Sequence, residues 1–162
     1  MAISDSEADE RLRRHWENLS QEVEITSERD PSYNCVAWAA EGDTSRWWQD
    51  LGFELGGYYW PDQLRGPQAN TVVGWVNLFR WLGYEVCGDA ALEPGFEKIA
   101  IYVQRDATVE HVARQLESGA WTSKLGKWED VQHSTLAELT GVTYGQIGPI
   151  MKRRRTRDDQ TA

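Results

Sequence analysis

The chemistry this sequence could perform rests on a thiol and an imidazole far apart in the chain, Cys35 and His111. Cys35 follows Asn34, a strong N-cap residue, and heads the apolar run Val36-Ala37-Trp38-Ala39-Ala40 behind the break at Asp30-Pro31. A thiol at a helix start faces free backbone N–H groups and the positive end of the helix dipole, and both favour the thiolate. His111 comes directly after the polar stretch Gln104 to Glu110 and opens an apolar segment, which puts it at the beginning of a strand. A base placed there, across a cleft from a helix N-terminus, could take the thiol proton as sulfur attacks a carbonyl. The Cys35 backbone N–H, with help from Asn34 or Tyr33, could hold the resulting oxyanion. The plainer alternative is that Cys35 is a small core residue, a common fate of free cysteine.

The elements that must position this pair follow from periodicity and caps. A helix from about Asp5 to Asn18 carries the thin apolar stripe Ala8, Leu12, Trp16 and Leu19, and His15 among its charges reads as a surface residue. Glu22 to Thr26 alternates as a short strand, and the Cys35 helix runs to a stop near Gly42. A second helix, Thr71 to Leu82, is capped by Asn70 and stopped by Gly83, with Val72, Trp75, Val76 and Phe79 at core spacing. Strands then follow at Tyr84 to Cys87, Glu97 to Val103, His111 to Leu116 and Ala120 to Leu125. Ser134 caps a short helix to Leu139, and Pro149 makes the last strand, Tyr144 to Ile150, an edge. Helices first and an antiparallel meander afterwards indicate an α+β domain.

The turn at Ser118-Gly119 leaves two registers open. A two-residue turn puts Thr122 and Lys124 on the face of His111, whereas a three-residue turn puts Ser123 there. Asp130 and His133 fall in the loop that follows.

Composition narrows the field. The 162 residues suit one domain, and a net charge of −9 argues against nucleic acid as a partner. The basic cluster Lys152 to Arg157 reads as a solvated tail that balances this acidity. Two cysteines without close pairing suggest neither a disulfide scaffold nor a zinc site, and no metal or cofactor is called for. An acidic, polar N-terminus and the lack of a long apolar run point to a cytoplasmic protein with no membrane segment. Nine tryptophans make the core aromatic-heavy, and Trp38, Trp60 and Trp121 are candidates for lining a substrate groove.

Tyr33-Asn34-Cys35-Val36-Ala37-Trp38-Ala39-Ala40, His111-Val112-Ala113-Arg114-Gln115-Leu116 and Trp121-Thr122-Ser123-Lys124-Leu125-Gly126 resemble a family of uncharacterised bacterial proteins from Tyr33 to Arg153. The order of helix-start Cys, strand-start His and a further polar strand also resembles the papain-like superfamily and its CHAP-type amidase branch. That resemblance implies a papain-like fold with N-terminal helices packed on an antiparallel β-meander. The divisions would be 1–30 as helix and lead-in, 31–151 as the papain-like domain and 152–162 as a basic flexible tail. It implies a cysteine peptidase, amidase or acyl transferase acting on a protein or peptide, with Cys35 as nucleophile and His111 as base. A third residue should orient the base. His133 is favoured over Asp130, with Asn34 and Ser123 in support. The rival expectation is a non-catalytic binding, interaction or immunity module on the same fold.

Overall fold

The computed structural model describes residues 5–19, 24–27, 46–47, 58–59, 71–124 and 130–155. Cys35, Asn34, Trp38 and Trp60 lie outside the described residues, as does the expected helix that Cys35 heads.

The chain is built on one antiparallel sheet of seven strands. These are β1 (Glu24–Ser27), β4 (Glu85–Cys87), β5 (Phe96–Val103), β6 (Val109–Gln115), β7 (Trp121–Lys124), β8 (Asp130–His133) and β9 (Gln146–Arg154). They lie in the order β1-β8-β7-β6-β5-β9-β4. Two dipeptides, β2 (Arg46–Trp47) and β3 (Tyr58–Tyr59), pair separately and in parallel. Helix α1 (Asp5–His15), helix α2 (Val72–Trp81) and a 3₁₀ turn (Leu136–Leu139) complete the described elements. No helix among the described residues is long and apolar enough to cross a membrane.

This architecture overturns the expected papain-like α+β arrangement of N-terminal helices stacked on a meander. The described chain is mostly antiparallel sheet, and its helices are split between the two faces. Nor do the strands run as a meander, because β1 joins the far edge through β8 and β9 inserts between β5 and β4. The Asp130–His133 segment, expected in a loop, is an internal strand flanked by β1 and β7. It has one apolar residue, Val131, so periodicity does not reveal it.

Two apolar clusters hold the sheet. On one face α2 sets Trp75, Leu78 and Phe79 against Ile99, Ile101, Val112 and Met151. Gly83 ends α2 at φ +97°, a left-handed conformation that costs glycine little. On the other face Leu12 of α1 and Trp16 of the turn after it lie on Ala100, Tyr102, Ala113, Trp121 and Val131, with Leu136 and Leu139 from the 3₁₀ turn.

Pro149 does not mark an edge. It sits in a bulge of β9, between Ile150, opposite Ala100, and Ile147, opposite Tyr102. The edge strand β4 reaches only Ile150 to Lys152 of β9, so the missing proline N–H breaks no ladder bond there. The basic run does not start a tail either. Lys152, Arg153 and Arg154 pair with β5, Arg153 binds the buried Glu97 carboxylate and the Leu82 carbonyl, and Lys152 binds Glu93.

Candidate functional site

His111 is the third residue of β6, not its first, and it pairs with Tyr102 of β5 in the interior of the sheet. Alternation along β6 puts His111, Ala113 and Gln115 on the face that α1 covers. The imidazole is completely buried. It stacks face to face on the Tyr144 ring, centroids 4.2 Å apart and planes within 3°, while Tyr102 approaches it at a tilt. Neither ring nitrogen has a hydrogen-bond partner among the described residues. A neutral imidazole carries one donor and one acceptor, and leaving both unmet in a buried site costs stability. Burial, and secondarily the neighbouring His133, push its pKa well below the usual histidine value. His111 is therefore an uncharged ring with a free lone pair at neutral pH.

The β6–β7 turn takes the three-residue form. The Leu116 N–H donates to the Ala120 carbonyl, with Glu117, Ser118 and Gly119 between them, and Gly119 adopts φ +94°. Arg114 accordingly faces Thr122 and Gln115 faces Trp121, so Ser123 rather than Thr122 shares the face of His111.

Ser123 and His133 form a buried pair. The Nδ1 of His133 lies 2.8 Å from the Thr135 carbonyl and must carry the proton to donate to it. In the neutral ring Nε2 is then an acceptor, and the Ser123 hydroxyl donates to it at 2.8 Å. Burial lowers the His133 pKa, opposed by the Thr135 bond and the Glu138 charge. Glu138 accepts the Thr135 backbone N–H at 3.0 Å, which steadies the carbonyl that orients His133. Geometrically this is a hydroxyl, a base and an orienting acceptor in series, but Ser123 and His133 are both closed off from solvent.

The expected third residues are thus placed. His133 is held by Ser123 and Thr135 and makes no hydrogen bond to His111. Asp130 begins β8, opposite Lys124 and Ser27. Trp121 does not line a groove; it is buried in the core beneath α1, opposite His133 in register. Cys87, the other thiol, is half-buried on β4 and points its sulfur toward the Asp89 carbonyl, 3.5 Å away. Among the described residues no cluster of three or more His, Cys, Asp or Glu side chains could hold a metal.

Sequence reasoning missed Tyr144, whose ring covers one side of His111. The sequence reading opens the last strand at Tyr144, whereas Tyr144 lies in the bend closed by Gly141 and Gly145, and β9 begins only at Gln146. Beside it opens a cleft of about 810 Å³ lined by Glu17, Gln104, Asp106, Glu110, Val142 and Gln146. Burial, and then the Asp106 charge, raise the Glu110 pKa above the usual carboxylate value.

No curated protein and no solved structure matches the chain. A family model described as a domain of unknown function, DUF7689, matches residues 24–152, and the chain belongs to that family.

Proposed function

We propose that this protein is a thiol hydrolase or acyl transferase acting on an amide or thioester, with Cys35 as nucleophile and His111 as general base. One observation carries the reading: among the polar groups on its face, His111 keeps both ring nitrogens unbonded while fully buried and uncharged. A neutral, unbonded imidazole offers a lone pair to a thiol proton, and the thiolate formed beside it would offset the burial that disfavours its charged form. In the proposed step the Cys35 sulfur bonds to the acyl carbon as its proton passes to His111. The leaving amine or thiol takes that proton as it departs. Water, or an acceptor amine, then releases the acyl group.

Alkylation with iodoacetamide near pH 6, read by mass spectrometry on native protein, tests this. An ordinary thiol is almost wholly protonated there, and the buried His111 is still a base. Cys35 should label faster than Cys87, and His111→Ala should slow Cys35 alone. Equal labelling of the two thiols, or a Cys35 rate indifferent to His111→Ala, would sink the proposal. The second reading, a non-catalytic interaction module, would then lead. It draws on the cleft beside Tyr144, where Glu17, Asp106 and Glu110 face one arginine, Arg105, a setting suited to a basic segment of a partner.

A further inference from the structure

We infer that Tyr144 is a positioning residue for His111, and that α1 with the turn following it is the brace that holds Tyr144 in place. The inference rests on the reading of His111 as the base. Its starting point is a small closed loop. Gly141 and Gly145 exchange both backbone hydrogen bonds, at 3.0 and 2.8 Å, which pinches Val142, Thr143 and Tyr144 into a tight bend. Both glycines have positive φ, +137° and +83°. A Cβ on Gly141 would run into the Glu17 carboxylate, and one on Gly145 into the Val103 carbonyl. Glycine is therefore required at both positions, by its backbone angles and by the close approach of these neighbours.

Four side-chain contacts from the end of α1 and from the β5–β6 turn fix it. Glu17 accepts the Val142 N–H at 3.1 Å. The Thr143 hydroxyl donates to the His15 carbonyl at 2.5 Å. Asn18 donates to the Thr140 carbonyl at 3.0 Å. Gln104 donates to the Thr143 carbonyl at 2.9 Å. Trp16, in the turn directly after α1, packs on the Tyr144 ring at 5.3 Å. Tyr144 in turn lies flat on His111. With no hydrogen bond on either nitrogen among the described residues, the flat contact with Tyr144 is what sets the plane of the imidazole.

The brace lies ahead of the residues shared with the family, which begin at position 24. The contacts of Asp5 to Leu19 converge on the neighbourhood of His111. Misplacing a reacting group by an ångström is enough to slow a positioned reaction, so a loosened brace should act on the base from a distance.

The test reads the His111 ring directly. The chain has three histidines, so ring ¹H–¹³C signals are assigned by comparison with His111→Ala. Face-on stacking shields the His111 ring protons. Tyr144→Leu should move that signal to an unshielded position and slow Cys35 alkylation near pH 6 by about tenfold or more, whereas Tyr144→Phe should keep both within about twofold. The double variant Glu17→Ala/Thr143→Val removes the acceptor of the Val142 N–H and the donor to the His15 carbonyl and leaves the buried core untouched. It should shift the signal part of the way, and it decides the matter if Tyr144→Leu fails to fold. An unmoved His111 signal in the variant that folds overturns the inference, as does a Cys35 rate equal to wild type when the signal has moved. A wild-type Cys35 rate indifferent to His111→Ala would sink the thiol chemistry instead, and the ring signal would still decide whether Tyr144 positions His111.

Discussion

The two faces of the sheet use the same strands for different ends. Under α2 the packing is mainly aliphatic and aromatic, with Ile99, Ile101, Val112 and Met151 meeting Trp75, Leu78 and Phe79, and its buried Glu97 is paired with Arg153. Under α1 the apolar set is interrupted by His111, Ser123, His133 and Glu138, all buried. A sheet that needed only stability would repeat the first pattern twice, since each buried polar group must find a partner to break even. On the α1 side Ser123, His133 and Glu138 have found theirs, and His111 has not. The face under α2 anchors the fold, and the face under α1 leaves a buried imidazole without a hydrogen-bond partner among the described residues.

The largest expected effect breaks the quiet face. Phe79→Ala removes a wholly buried ring and should destabilise the protein by about 3–5 kcal/mol in urea unfolding. The folded fraction should keep the Cys35 to Cys87 labelling ratio of wild type, and a changed ratio would mean that the faces are not independent.

A smaller loss is expected from Ser123→Ala. It leaves the buried Nε2 of His133 without its donor and should cost about 1–3 kcal/mol. No measurable loss would show that the Ser123–His133 pair is not what satisfies this face.

The smallest effect separates the two histidines by pH. The folded pKa of His111 is depressed, so above about 6.5 the ring is neutral folded or unfolded and contributes no pH dependence. As pH falls below that value the unfolded chain takes up protons that the folded chain refuses. Stability is then lost at up to about 1.4 kcal/mol per pH unit for each such histidine, and His133 acts with the same sign. His111→Phe should leave stability near pH 7.5 almost unchanged, because no hydrogen bond is lost, and should flatten the acid slope by one proton. A large loss at neutral pH would reveal a hydrogen bond to His111 and remove the argument for a free base.

Much of the frame was legible in the sequence. Trp75 and Phe79 at core spacing marked α2, Ile99 and Ile101 marked β5, and Leu12, Trp16 and Leu19 marked a buried stripe, because apolar burial leaves a period. Helix α1 itself ends at His15 and not at Asn18. What stayed hidden was burial of the opposite kind. β8 places Gln132 and His133 among its neighbours through pairing, which no hydrophobic pattern records. Ser123 could be assigned to a face only by the length of the Glu117–Gly119 turn, and both lengths were open. Pro149 pointed to an edge because proline cannot donate, but a bulge answers the same requirement inside a sheet. Two tyrosines from distant segments, Tyr102 and Tyr144, frame His111, and that convergence exists only after folding.

The insertion of β9 between β5 and β4 bears on how the chain can be made. β4 has no other neighbour in the sheet, and the whole outer edge of β5 waits for residues more than forty positions downstream. During synthesis β4, α2, β5 and β6 therefore emerge with an open strand edge that nothing upstream can close. Closure of such long separations is slow. A chain halted before Gln146 would present the β5 edge to other chains and to proteases, and β5 is the strand whose Tyr102 pairs with His111.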